Sequence, residues 1–355
     1  MKSSPSALYS FHPCINIMTT ERTFTLPDGQ QVYSKTWKPD SAPRAVIVFI
    51  HGFSDHCNAY YDLFPSLASS GFEVRAFDQR GWGRTVKTKK DRGKTGDTAQ
   101  VLSDMHSFIT STAAYAQEIN IPLFLVGHSM GGGQALTYLL HPESPYHSAT
   151  KPTLAGVLVW SPLITLDPSS QPWKITIIAG RIAARILPRL QRYSPLDPRL
   201  ISRNETVIKN FETDELCHDT GTLQGLKGML DRGLWLDEAG VELYEKAGCV
   251  PLWLGHGVED KITNFEATKA LAKRLAGKGD VTFVEYEGAY HTLHAELPET
   301  TAKFTKDISN WLLAKCPAPV SGESITGLGE SNANSEQKDA ADPNKTETEA
   351  SKAKL

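Results

Sequence analysis

Three residue types, met in a fixed order along this 355-residue chain, could together do acyl-transfer chemistry. Gly127-His128-Ser129-Met130-Gly131 is a G-x-S-x-G, with an apolar strand-like run before it (121–129) and a helix-forming run after it (130–142). The glycines fit a sharp strand-to-helix turn that leaves no room for neighbouring Cβ atoms. Such a turn lifts the Ser129 hydroxyl above a sheet and aims the helix N-terminus at charge developing beside it. A serine hydroxyl needs a base at neutral pH, and the base needs a carboxylate to fix its tautomer and stabilise the imidazolium.

The candidates for base and acid stand where two later strand-like runs end. One run closes in Val258-Glu259-Asp260-Lys261 and the next in Gly288-Ala289-Tyr290-His291. Asp260 and His291 therefore reach the same carboxyl edge as Ser129, in the order nucleophile, acid, base. His291 is favoured over His294, which lies about one helical turn further on and points into the structure or to backbone. Asp260 is favoured over Glu259 as the shorter acid. Two backbone N–H groups should stabilise the oxyanion: Met130, directly after the nucleophile, and Phe53, in the loop His51-Gly52-Phe53 after an earlier buried run. His51 and His56 are read as shaping that loop.

The elements that must position these residues can be traced along the chain. Residues 22–39 read as an antiparallel hairpin around Pro27-Asp28-Gly29. Residues 44–52 form a continuous apolar run, the mark of a strand buried on both faces. Helix (59–70), strand (72–81), helix (98–119), strand, helix and strand (154–162) follow. The alternation predicts a mostly parallel sheet flanked by helices. It fails over 161–248, where proline-punctuated helical patches read as a cap inserted over the carboxyl edge, and resumes through 249–316. The organisation expected is an N-terminal extension (1–20), a first core part (21–160), a helical cap or lid (161–248) and a second core part (249–316). A disordered tail (317–355) without aromatic residues closes the chain.

Composition narrows the class. Lys+Arg 37 against Asp+Glu 40 leaves −3, so nothing global points to nucleic acid. Five cysteines without a CxxC argue against a disulfide scaffold or zinc site and for reduced thiols. Eleven histidines include no H-E-x-x-H, so neither metal nor cofactor is expected. Gly93-Lys94-Thr95 looks like the end of a P-loop, but Thr88 stands where the leading glycine should be. No segment approaches the roughly 18 apolar residues of a membrane span. The first twenty residues make a poor signal peptide, and initiation at Met18 would lose little of the pattern.

With these motifs in place the chain resembles the monoacylglycerol lipases of the α/β-hydrolase fold, in their fungal form. The resemblance spans roughly 22–316 and is carried by HGFSDHCNAY, FDQRGWGRT, GHSMGGG, SPLI, HGVEDKIT and YHTLHAE. It implies Ser129 as nucleophile, Asp260 as orienting acid, His291 as base, and Phe53 and Met130 as oxyanion donors. It also implies hydrolysis of a glycerol monoester through an acyl-enzyme, and a cap that forms the lid and acyl tunnel. Lysophospholipase, broad carboxylesterase or acyltransferase chemistry would use the same triad, and a non-catalytic receptor of this fold is the remaining alternative.

Within the cap, 173–190 puts Lys174, Arg181, Arg185 and Arg189 on one strip and Ile175, Ile182, Ile186 and Leu190 mostly on the next. Ile175, Ile178, Ile182 and Ile186 are the candidate acyl-contacting residues. The same basic amphipathic pattern suits a membrane or lipid-droplet surface. A cytoplasmic, droplet-associated location is expected, the alternative being peroxisomal through Ala353-Lys354-Leu355.

Overall fold

Alternate side chains of the run Ala45–Ile50 serve opposite faces, all of them buried. Val46, Val48 and Ile50 enter one apolar cluster, and Ala45, Ile47 and Phe49 enter the other. Such a strand needs helices on both sides. The computed structural model, which describes residues 17–171 and 173–317, supplies them.

The chain begins with β1 (Met18–Thr25) and β2 (Gln31–Lys38), an antiparallel pair closed through Gly29 at φ +83. There follow β3 (Ala45–Ile50), α1 (Leu63–Ser69), β4 (Phe72–Phe77), α2 (Thr98–Glu118), β5 (Leu123–His128), α3 (Met130–Leu140) and β6 (Gly156–Trp160). The inserted segment carries α4 (Lys174–Ile186), β7 (Gln191–Tyr193), α5 (Pro198–Ile201), α6 (Glu205–Thr213), β8 (Thr220–Thr222), α7 (Leu223–Glu238) and α8 (Val241–Lys246). The core resumes with β9 (Leu252–Gly257), α9 (Phe265–Leu275), β10 (Val281–Tyr286) and α10 (Pro298–Ala314).

The eight-stranded sheet has the order β1-β2-β4-β3-β5-β6-β9-β10, antiparallel at β1/β2 and β2/β4 and parallel elsewhere. β5, which ends one residue before Ser129, lies in its interior between β3 and β6. α2, α3 and α9 cover one face and α1 and α10 the other, each through the apolar cluster on its side. Every strand whose C-terminal loop carries a candidate residue is therefore held on both edges and both faces, apart from the edge strand β10.

Three local expectations change. β1 starts at Met18, inside the segment read as an extension, because residues 18–25 pair in full register with 31–38. The helix expected from 59 starts at Leu63, since Tyr61 takes φ +46, outside the helical region. The cap is not wholly helical: β7 and β8 form an antiparallel ribbon of three-residue strands, too brief to leave a strand signature. Residues 318–355, with the Ala353-Lys354-Leu355 address, and residues 1–16 lie outside the described residues.

Candidate active site

The turn after β5 puts Ser129 at φ +55, ψ −121, a conformation that a non-glycine residue adopts only when its surroundings impose it. What imposes it is visible in the neighbouring glycines. A Cβ on Gly127 would meet the Gly131 carbonyl oxygen at 2.5 Å, and one on Gly131 would meet the Ile50 carbonyl oxygen at 2.2 Å. The Ser129 N–H donates to Trp160 O (3.1 Å), and its carbonyl accepts from Gly133 and Leu163 (3.0 and 2.8 Å). The loop after β3 comes close as well: a Cβ on Gly52 would lie 3.2 Å from Ser129 Cβ.

Onto this hydroxyl the loop after β10 brings His291. Its Nε2 is 2.9 Å from Ser129 Oγ, and its Nδ1 is 2.7 Å from Asp260 Oδ2. The carboxylate makes Nδ1 the protonated nitrogen, which leaves Nε2 free to accept the serine proton. Asp260, 1% exposed, also accepts from Ile262 N, Thr263 N, Thr263 Oγ1 and His256 Nε2, at 2.8, 3.0, 2.8 and 3.1 Å. Burial alone would raise its carboxyl, but the facing His291 and the hydrogen bonds from His256 and His291 win. They hold it well below the usual carboxylate range. The rival Glu259 is exposed and faces Lys261.

His294 is buried beside the relay but takes no part in it, stacked on Tyr60 at 4.6 Å and accepting from Trp160 Nε1 at 3.2 Å. Burial keeps it well below its ordinary pKa, so it is neutral. Glu296, the last residue of YHTLHAE, is buried and accepts from Tyr290 N and Arg203 Nε (both 3.0 Å), tying the His291 loop to the cap. His51 bridges loops, Nδ1 to Gly52 O at 2.8 Å and Nε2 accepting from Gln79 N at 2.9 Å. Met130 is the first residue of α3, so its N–H has no carbonyl one turn back. Phe53 lines the cavity above Ser129.

That cavity measures about 380 Å³ and opens on Ser129 and His291. Its polar wall includes Asp55, Asn58, His128 and His294; its apolar wall is Leu196, Ile201, Val207 and Phe211 from the cap. Asp55 accepts from Tyr60 Oη at 2.5 Å, and Tyr60 Oη in turn accepts from His128 Nδ1 at 3.1 Å. Burial pushes His128 down to about 4. Asp55, Tyr60, His128 and His256 were not anticipated from the sequence. Only the short spacing within DHCNAY and the histidine inside G-x-S-x-G could have hinted at the first three.

The four cap isoleucines are not part of this cavity. Ile175, Ile178, Ile182 and Ile186 are 54–73% exposed and face outward. α4 turns its opposite side to the protein, with Ala184 buried and Arg181 paired with Asp231 of α7 at 2.7 Å. The isoleucine stripe is thus left outside, so these four residues do not line the cavity over Ser129, whose apolar wall comes from the 196–211 segment. His56, Asp214 and Cys217 bring three ligand-type atoms within 4.8 Å of one another, the one such group among the described residues. His56 Nε2 is already bonded to Asp214 at 2.9 Å, and burial raises the Cys217 thiol, which opposes the thiolate a metal would need.

A mostly parallel sheet with Ser129, Asp260 and His291 on the loops after β5, β9 and β10 at its carboxyl edge, the inserted segment packed against them, defines an α/β-hydrolase. Residues 41–298 match the family model described as Serine aminopeptidase, S33. A Schizosaccharomyces pombe protein is 33% identical over 283 residues, which cover 79% of this chain and 71% of that one. Human monoglyceride lipase is 31% identical over 291 residues, 80% of this chain and 88% of the human one. The crystal structure of a soluble variant of Saccharomyces cerevisiae monoglyceride lipase with a substrate analog superposes with a TM-score of 0.75 at 23% identity. It covers 89% of this chain and 100% of that one. The chain belongs to the monoglyceride lipase family of α/β-hydrolases.

Proposed function

We propose that the protein is a serine ester hydrolase that cleaves monoacylglycerol to glycerol and a fatty acid through an acyl-enzyme. The observation that carries the reading is the unbroken relay from Ser129 Oγ through His291 to Asp260, at 2.9 and 2.7 Å, under a cavity with one polar and one apolar wall. Ser129 attacks the ester carbonyl as His291 takes its proton; the Phe53 and Met130 N–H groups hold the oxyanion. His291 then protonates the departing glycerol and activates the water that releases the acid. Asp260, fully ionised, keeps the imidazolium oriented throughout. The relatives named monoglyceride lipase support the substrate class.

The outward stripe of α4 supports a second element of the reading: contact with a lipid surface. Trp173 (81% exposed) and the four isoleucines form an apolar ridge beside Arg185 and Arg189, the pattern of a helix that lies in a membrane or droplet interface. Among the described residues no helix is long and apolar enough to cross a membrane. The test of the nucleophile is fluorophosphonate labelling followed by peptide mass spectrometry. Modification of Ser129 in the wild type and its loss in His291→Ala are expected; folded wild-type protein that resists labelling would favour a non-catalytic receptor.

A further inference from the structure

Between the core and the inserted segment lies a group of buried donors that the reaction above does not use. Arg232 of α7 is 6% exposed; among the described residues its side chain donates only to Thr98 Oγ1, at 3.1 Å, and pairs with no carboxylate. Its chain neighbour Asp231 is taken by Arg181 and Lys227, at 2.7 and 2.5 Å. Burial pushes Arg232 down to about 10, which leaves it charged at neutral pH. Trp82, after β4, is held by His218 stacked on it at 4.7 Å and by Phe53 edge-on at 4.9 Å, so its indole is fixed, and its Nε1 has no partner. Gln134 of α3 is 1% exposed, with neither amide atom paired. Unpaired groups of this kind are costly to bury, a guanidinium most of all.

All three side chains border one chamber of about 10 Å³, roughly the room of one water, and no acidic side chain lines it. Its walls are firmly built. Thr222 at the end of β8 donates through N and Oγ1 to Gly93 O, at 3.1 and 3.0 Å, and a Cβ on Gly93 would meet Thr220 O at 2.2 Å. The size excludes a polyatomic ligand such as a carboxylate or a phosphate. Charge separates the two occupants that remain, a water and a monatomic anion. Arg232 and Trp82 Nε1 can only donate, and the Gln134 amide can turn its NH2 group inward. A water would serve some of these donors but leave the guanidinium charge unbalanced. An anion accepts from all three and offsets the charge.

We propose that the chamber binds a single halide ion, chloride in the first place, held by Arg232, Trp82 Nε1 and Gln134 Nε2. The ion is slightly larger than a water, and the flexible Met229 side chain on the chamber wall yields the difference. Its ligands come from α7, α3 and the loop after β4, so the bound ion joins the inserted segment to the core and stabilises the folded chain by mass action. None of Ser129, His291 and Asp260 borders the chamber, and the test therefore needs no substrate.

The test is thermal melting of the full chain in potassium chloride and in potassium gluconate at equal ionic strength. The wild type should melt about 2 °C or more higher in chloride, the shift for a site filled well above its Kd. Arg232→Met, which removes the charge but keeps an unbranched side chain, should lose that difference. Trp82→Phe keeps a ring against His218 and removes one donor; it should reduce the difference and serves if Arg232→Met does not fold. Equal melting of the wild type in the two salts, or a chloride effect undiminished in the variants, overturns the proposal and leaves the cluster as hydrated packing. Bromide then locates the ion: in crystals grown with it, an anomalous peak should lie between Arg232, Trp82 and Gln134. No peak there sinks the site, and so does a peak without the chloride-dependent Tm, which is binding at crystal concentration only.

Discussion

Each member of the Ser129–His291–Asp260 relay is over-determined by its neighbours, and this makes the single-residue predictions asymmetric. Ser129→Ala, His291→Ala and Asp260→Asn should each lower kcat by about 10³–10⁴-fold or more, measured on a soluble ester. Glu259→Gln should leave it unchanged, since Glu259 faces only Lys261 at the surface. His294→Ala keeps the relay but removes the Tyr60 stack and orphans Trp160 Nε1. It should cost roughly 2–4 kcal/mol in urea unfolding while retaining far more turnover than His291→Ala. A dead His294→Ala with native stability would contradict the assignment of the base. The choices of His291 and Asp260 were legible because each directly follows an apolar run, and in a parallel sheet that fixes the edge on which a residue stands. His256 was not legible: it sits inside a buried strand, where a histidine carries no positional signal until Asp260 is seen 3.1 Å from it.

At the scale of elements, the strand-to-helix turn is the part least able to change. Gly131→Ala would drive a Cβ to 2.2 Å from the Ile50 carbonyl oxygen, backbone against backbone. The expected result is a loss of several kcal/mol of stability or failure to fold, read by thermal melting; an alanine variant with wild-type Tm would show that the turn tolerates what its geometry excludes. The core strands were readable because burial on both faces leaves continuous apolar runs. The cap was readable only as a gap in that alternation. Its helix α4 shows the limit: the sequence gives two strips, basic and apolar, but not which one faces home. Packing on α7, with Ala184 turned inward, decides that, a contact between segments distant along the chain. With the isoleucines outside, Ile178→Glu with Ile182→Glu should weaken co-sedimentation with anionic phospholipid vesicles while sparing turnover of a soluble ester. Unchanged vesicle binding would assign the ridge to another partner.

For the whole molecule, several histidines are buried neutral, and their linkage to folding has one sign. Burial lowers His128 and His218 to about 4, and lowers His51 and His294 as well. A histidine whose folded pKa lies below its unfolded value near 6.5 leaves stability intact above 6.5. That stability is lost as pH falls from there toward 4, on the order of 3 kcal/mol for one full shift of this size. His56 works the other way. Burial opposes its charge, but Asp214 and the acids around it raise its pKa, so its contribution is present in acid and lost as pH rises through the raised value. The larger set should dominate: the urea midpoint is expected to drop between pH 7 and pH 4.5, and a flat profile would contradict neutral burial. His218→Phe, which retains a ring against Trp82, should flatten part of the slope.

The central claim is tested most directly by fatty-acid release from monooleoylglycerol, dioleoylglycerol, trioleoylglycerol and lysophosphatidylcholine by the purified protein, with Ser129→Ala beside it. Release from the monoester in preference to the other three, absent in Ser129→Ala, is the predicted result. Equal release from lysophosphatidylcholine would contradict the substrate assignment, and release that survives Ser129→Ala would contradict the mechanism itself.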